Sequence, residues 1–322
     1  MSTDPLSDLL KTVRLTGAVF FDITAQERWA VASPPRDLIL PKILPGADHL
    51  IAYHVVTAGQ CVATVVGGQP VFLEAGQVVV FTNGQAHIMS SHPNMRAEPP
   101  MPDVLEIATA GKKPFCINYG DGPGATKLVC GYLACDARPF NPLVENLPAV
   151  ITAGDPRNGG SSWTAQLIRF AVAEADGDQA GRESVLTRLS ELMFIEIIRR
   201  HLESLPAQRS GWLAGLRDPF VGKALSLMHG MPARHWTIEE LAREVGLSRS
   251  VLAERFANLV GLPPMHYLTK WRMQIASELL TGSNTNMASI ADRVGYESEA
   301  SFSRAFKKMN GMPPSAWRQR ER

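Results

Sequence analysis

An all-β barrel, a helical segment and an all-α domain with two helix-turn-helix motifs are predicted in series along this 322-residue chain, on three observations. Short apolar or alternating runs separated by Gly, Pro and Asn fill residues 1–157, which favours a barrel or sandwich. From residue 158 the apolar spacing becomes helical, until the turn-rich Leu205-Pro206-Ala207-Gln208-Arg209-Ser210-Gly211 ends that segment at about residue 210. Residues 211–322 then carry one local design twice, at about 237–260 and 286–310.

In the first region the expected strands are Leu38-Ile39-Leu40, Val71-Phe72-Leu73 and residues 51–56, 61–66, 78–81 and 128–133. In the second, Trp163, Leu167, Phe170 and Ala171 share one helical face, broken by Asp176-Gly177-Asp178. A longer helix follows over residues 182–204. Its stripe of Val185, Leu186, Leu189, Leu192, Met193, Ile197 and Ile198, widened by Phe194 and Ile195, exceeds what one core requires.

In the third region Asp218-Pro219 starts a helix, and Thr237-Ile238-Glu239-Glu240 is a capping box. Leu241-Ala242-Arg243-Glu244-Val245-Gly246 and Ile290-Ala291-Asp292-Arg293-Val294-Gly295 are first helices that pack through their apolar positions, each ending in a Gly suited to the positive φ of the turn. Ser248 and Ser298 cap the second helices, which bear Leu252/Phe256 and Phe302/Phe306 as i, i+4 pairs. Gly261-Leu262-Pro263-Pro264 and Gly311-Met312-Pro313-Pro314 close the two copies, and only the turn differs, by the extra Tyr296. Tyr267, Trp271, Ile275 and Leu279 make the connector a helix of about four turns.

Net charge is +1, but it is unevenly spread. From Pro219 onward there are 14 Lys and Arg against 9 Asp and Glu, and before it 18 against 22. A basic end suits a phosphate-binding module. No apolar run approaches the roughly 20 residues that span a bilayer, and the N-terminus lacks a signal-peptide layout, so a cytoplasmic protein with no membrane partner is expected. Four cysteines, Cys61, Cys116, Cys130 and Cys135, form no disulfide framework at this length and are read as reduced thiols. A redox role remains an alternative, in which Cys116 and Cys130 pair across a hairpin more easily than Cys130 and Cys135 along one strand.

The run Ile290-Ala291-x-x-Val294-Gly295-Tyr296-x-Ser298-x-x-x-Phe302-Ser303-Arg304-x-Phe306-Lys307 resembles the AraC/XylS family of transcription regulators over the last hundred or so residues. Gly76-Gln77-Val78-Val79-Val80-Phe81-Thr82-Asn83-Gly84-Gln85-Ala86-His87 is similar to the second cupin motif, with Thr82 in place of Pro. Tyr53-His54-Val55-Val56 and Gly67-Gly68-x-x-Val71-x-Leu73 sit where the first cupin motif would fall. The resemblance implies a cupin sensor, a dimerisation helix and a DNA-binding domain. The function it implies is a sequence-specific regulator controlled by a small molecule, metal or oxidant, with RNA polymerase as a further partner if it activates.

Enzymatic cupins use a His-x-His pair and a Glu, where this chain has Ala52 and Gln60. A metalloenzyme tethered to DNA is therefore an alternative reading, as is a constitutive regulator whose barrel is only a scaffold, and no catalytic residue is assigned. His54 and His87 are expected to point into one barrel, and Cys116 or Cys130 would complete a His/Cys set suited to zinc. Ordinary buried histidines are the alternative. The dimer contact is assigned to Leu186, Leu189, Met193 and Ile197.

The second helices, residues 249–259 and 299–309, are expected to enter the major groove of double-stranded DNA. The residues assigned to that contact are Ser248, Arg249, Ser250, Ala253 and Glu254 in the first copy. In the second they are Ser298, Glu299, Ala300, Ser303, Arg304, Lys307 and Lys308. Arg304 is the assigned base reader, because Arg to guanine is the commonest specific pair. The lysines one turn on are expected to meet phosphate.

Overall fold

The computed structural model describes residues 4–13, 15–44, 46–97, 115–119, 126–136, 139–154, 166–167, 170, 173–174, 179–206 and 210–320. It forms two compact units, one of Leu15–Cys135 and Pro148–Glu203, the other of Met1–Arg14, Asp136–Leu147 and Ser204–Arg322. The division read from the sequence follows chain order, and the compact units do not. Most of the helix expected around Trp163 and Ala171 lies outside the described residues. Among the described residues no helix is long and apolar enough to cross a membrane.

The first unit pairs two sheets. Strands β1 (Thr16–Ala25), β3 (His49–Ala58), β6 (Val78–Phe81), β8 (Phe115–Tyr119), β9 (Thr126–Cys135) and β10 (Val150–Ala153) form one, in the order β10-β6-β3-β9-β1-β8. Strands β2 (Ala30–Ser33), β4 (Gln60–Val65), β5 (Val71–Glu74) and β7 (His87–Ser90) form the other, in the order β2-β7-β4-β5. Ala52, Val56, Val79, Phe81, Leu128 and Cys130 of the six-stranded sheet meet Cys61, Ala63, Leu73 and Met89 of the four-stranded sheet in one core.

Two elements differ from the sequence expectation. Leu38-Ile39-Leu40 lies in a helix, α2 (Arg36–Ile43), with Asp37 in its first turn and Lys42 in its last. Only Ile39 of that run is buried while Leu38 is 59% exposed, the one-sided burial of a short surface helix. The hairpin invoked for Cys116 and Cys130 does not exist, because β1 lies between β8 and β9, pairing Asp22 with Cys116 on one side and Phe21 with Cys130 on the other. Two strand spacings, about 9.6 Å, exceed the Cα separation of about 7 Å that a disulfide tolerates.

β3 is buried along both faces, and alternation explains how. His54 points to the barrel core, whereas the Tyr53 hydroxyl hydrogen-bonds Ser190 Oγ at 2.7 Å on a helix whose bounds are Arg182–Ser204 (α4). That helix spends its apolar stripe on its own chain. Leu186, Met193 and Ile197, assigned to a dimer contact, are 1%, 6% and 1% exposed, Leu189 is half-buried, and Leu192 is exposed.

The second unit is helical. It contains α1 (Pro5–Thr12), α3 (Pro142–Asn146), α5 (Trp212–Arg217), α6 (Val221–Gly230), α7 (Ile238–Val245), α8 (Arg249–Val260), α9 (Pro264–Gly282), α10 (Met287–Arg293), α11 (Glu299–Asn310) and α12 (Pro314–Arg320). α1 packs on α6 and α9. The segment joining β9 to β10 is built into this unit: Phe140 N–H donates to Gln274 Oε1 at 2.9 Å, and its ring meets Tyr267 edge-on at 5.4 Å. Trp212 Nε1–H donates to the Tyr267 oxygen and Tyr267 O–H to His229 Nε2, each at 2.8 Å. Burial pushes the His229 imidazole down to about 3, so it accepts that bond uncharged.

Candidate nucleic-acid interface and barrel cavity

Each helix pair of the second unit is set by local capping. Thr237 and Glu240 exchange side-chain-to-backbone bonds of 3.1 Å at the start of α7, closing the capping box. At the start of α10, Asn286 Oδ1 accepts from Ser289 N–H at 2.8 Å. The turns after these helices use Gly246 at φ +83° and Gly295 at φ +75°. A Cβ on Gly295 would stand 2.5 Å from Ala233 O, so that position requires glycine on steric grounds as well. Ser248 and Ser298 then accept from the N–H groups of Val251 (3.4 Å) and Ser301 (3.2 Å), capping α8 and α11.

The extra residue of the second turn has a packing role. The Tyr296 ring meets Phe302 edge-on at 5.9 Å, and the Arg272 guanidinium lies over it at 5.9 Å while donating to the carbonyls of Pro232 and Arg234. α8 is held by buried Leu252, Phe256 and Val260, and α11 by buried Phe302 and Phe306.

The opposite faces differ in charge. Among the residues expected to face DNA, Ser248, Arg249, Ser250, Glu254, Ser298, Glu299, Ala300, Arg304, Lys307 and Lys308 are exposed, and Ala253 and Ser303 are half-buried. On α11 the outward ridge carries Arg304, Lys307 and Lys308. The equivalent positions on α8 carry Glu254, Ala257 and Asn258. Both arginines of α8 are engaged within the chain: Arg249 pairs with Glu239 at 3.0 Å, and Arg255 donates twice to Asp218 at 2.5 and 2.8 Å.

Asp218 is an anchor that sequence reading identified only as a cap. Its other carboxylate oxygen accepts from the N–H groups of Phe220 and Val221 at 3.0 and 2.9 Å. Partial burial raises its carboxyl, but Arg255 and those N–H groups outweigh it and hold the group below its usual value. Val251, 46% exposed on α8, is an outward apolar residue that sequence reading also passed over.

In the barrel the structure brings His54, His87 and Cys130 together. His87 Nδ1 lies 2.9 Å from the carbonyl oxygen of Gln85, which can only accept, so His87 donates through Nδ1 and its Nε2 is an acceptor. His54 Nε2, 2.8 Å away, therefore donates to it, and His54 Nδ1 accepts from the Cys130 thiol at 2.8 Å. The result is one directed chain, Cys130 to His54 to His87 to Gln85. Burial, and then His87, push His54 well below the usual histidine range, and burial pushes His87 down to about 4. Burial, then Cys61 and Asp22, push the Cys130 thiol well up. All three groups are neutral near pH 7.

This geometry does not fit the expected zinc set. Cys130 and His87 occupy opposite nitrogens of the His54 ring, so the three donors do not converge, and among the described residues no cluster of three His, Cys, Asp or Glu could hold an ion. The Cys116 side chain lies outside the described residues. His54 and Cys130 instead form one wall of a cavity of about 80 Å3, lined otherwise by Phe21, Ile23, Val31, Ser33, Ile117, Tyr119, Tyr132 and their neighbours. Among the described residues no charged side chain lines it.

Residues 4–203 match the family described as "Cupin", and residues 241–320 the one described as "Helix-turn-helix domain". The chain is 32% identical to a protein of Streptomyces lividans named as an AraC-like transcription regulator, over 98% of both chains. It is 29% identical to the HTH-type transcriptional regulator AlkR of Acinetobacter baylyi, over 98% of this chain and 99% of that one. Among solved structures, the DNA-binding domain of AdpA in complex with a target DNA is 26% identical, covering 32% of this chain and 92% of that one with a TM-score of 0.30. With the cupin match covering well over half of its length and regulator relatives aligned almost end to end, the chain belongs to the AraC-like family of DNA-binding transcription regulators that carry an N-terminal cupin domain.

Proposed function

We propose that this protein binds a specific operator through two recognition helices of unequal role and adjusts that binding to a small molecule taken up by its barrel. The observation that carries this reading is the outward ridge of α11, where Arg304, Lys307 and Lys308 stand exposed on a helix fixed by Phe302 and Phe306. Arg304 reads a base, the two lysines meet phosphate, and α8 sets the register through its capped N-terminus and the Val251 side chain. The two helices then address successive major-groove segments about 34 Å apart.

The active form is a homodimer in the cytoplasm, and an activator would in addition contact RNA polymerase. Because Leu186, Met193 and Ile197 are taken up within the chain, the pairing contact on α4 falls to accessible Leu189 and Leu192. The barrel is a sensor and not an enzyme, since Ala52 and Gln60 stand where a catalytic cupin keeps metal ligands and the histidines present are tied into a hydrogen-bonded chain. Footprinting the full-length protein on the DNA flanking its own gene tests the reading. Protection of two adjacent helical turns in each of two half-sites is expected, and no protection at low salt overturns it.

A further inference from the structure

The barrel cavity has the parts of a covalent capture site. It holds a nucleophile, Cys130 Sγ, with a base 2.8 Å away at His54 Nδ1. That base is in turn oriented by a third group, His87 Nε2, at 2.8 Å. Nucleophile, base and orienter in hydrogen-bond sequence is the geometry of an activated thiol. Tyr119 and Tyr132 line the same cavity, and the Tyr132 hydroxyl lies within 3.3 Å of Ser33 Oγ. Burial raises both phenols, Tyr132 to about 12, so both keep their protons and can donate.

The occupant is constrained in charge and size. Among the described residues no Lys, Arg, Asp or Glu lines the cavity to compensate an ion. Its volume of about 80 Å3 suits a compact occupant.

We propose that the barrel captures a small, neutral α,β-unsaturated carbonyl compound as a thioether on Cys130, with His54 as the proton carrier. The Cys130 Sγ–carbon bond forms as the alkene π bond breaks. The thiol proton passes to His54 Nδ1, and the displaced electron pair runs onto the carbonyl oxygen, which a tyrosine hydroxyl meets. Return of that proton to the carbon next to the carbonyl completes the adduct, so every atom is retained and no oxidant is consumed. Because thiol and imidazole are both held neutral, attack needs this transfer within the pair and does not draw on free thiolate. The proposal rests on the barrel being the sensor, but its test reads the thiol and not the DNA.

Full-length protein is treated with one equivalent of methyl vinyl ketone, and the adduct is located by peptide mass spectrometry. Cys130 is expected to be labelled ahead of Cys61, Cys116 and Cys135, and acrylate, an anion of similar size, is expected to leave it untouched. His54→Asn should slow the labelling of Cys130 by about 100-fold or more, while the urea-denatured variant and wild type label alike. Should that variant fail to fold, saturating butanone on the wild type still decides, since it must slow the labelling of Cys130 alone. Preferential labelling of another cysteine, equal labelling by acrylate, or a His54→Asn rate equal to wild type would overturn the proposal. So would stoichiometric zinc that survives purification and blocks the label until it is chelated. Labelling that proceeds as expected while operator affinity stays constant would uphold the capture site and refute the sensor reading instead.

Discussion

The two recognition helices are near copies inward and opposites outward. Both are twelve residues long, both begin at a serine cap, and both bury an aromatic or leucine pair at the same positions. Yet Arg304 on α11 stands where α8 has Glu254, and Lys307 and Lys308 where α8 has Ala257 and Asn258. α8's own arginines are turned to Glu239 and Asp218. A duplicated unit can therefore keep its packing and divide its labour. Packing is set by the buried face, where one lost ring is costly, while the outward face is free to change charge at little cost in stability.

The comparison breaks first at its inward half if it is wrong. Phe256→Ala and Phe306→Ala each delete a ring that is fully buried. Each is expected to cost about 3–5 kcal/mol, read as a loss in urea-unfolding stability, and unequal costs would mean that the two copies do not share one packing scheme.

The outward half is sharpened next. Arg304→Ala should weaken operator binding by about 1–3 kcal/mol and relax one base position, whereas Glu254→Ala should leave binding unchanged or tighten it, in side-by-side titrations on operator variants. A loss on every sequence alike would make Arg304 a phosphate contact.

Lys308→Ala should weaken binding evenly across sequences and lower the salt slope by about 1, while Asn258→Ala should leave the slope unchanged.

The turns give a smaller contrast. Gly246→Ala meets nothing within 4 Å, whereas Gly295→Ala drives a Cβ against Ala233 O. Thermal melts should show a loss of about 1 kcal/mol for the first, the cost of an alanine at positive φ, and a larger loss for the second.

The smallest effect concerns the Arg255–Asp218 pair. As a surface pair it contributes about 0.2–1 kcal/mol, and the Asp218 carboxyl is depressed in the fold. Its stabilisation is therefore complete above the ordinary aspartate range and lost as pH falls through the lowered folded value. Asp218→Asn should flatten that part of the acid-unfolding curve.

The helix-turn-helix copies were legible because their determinants are local: caps, turn glycines and apolar pairs all fall within a dozen residues. The strands from 51 to 81 were legible for the same reason, bounded by Gly59, Gly67 and Gly76 at positive φ. What escaped was long-range. Nothing in the sequence of residues 136–147 says that Phe140 packs on Tyr267 and Gln274 in the helical unit. The pairing of β8 with β1, which undoes the proposed Cys116–Cys130 hairpin, is likewise set by strands nearly a hundred residues apart. Leu38-Ile39-Leu40 misled because a run of three apolar residues has no period of its own. For the cavity, His54, His87 and Cys130 were each named from sequence, but their order along one proton chain depends on the register of β3, β7 and β9.

The division of labour between the helices is tested most directly by recovering the duplexes that full-length protein selects from a random pool, for wild type and for Arg304→Ala. The prediction is two conserved blocks about one helical turn apart within each half-site, with Arg304→Ala erasing a guanine from one block and sparing the other. Two blocks that survive the substitution intact, or both fading together, would contradict it.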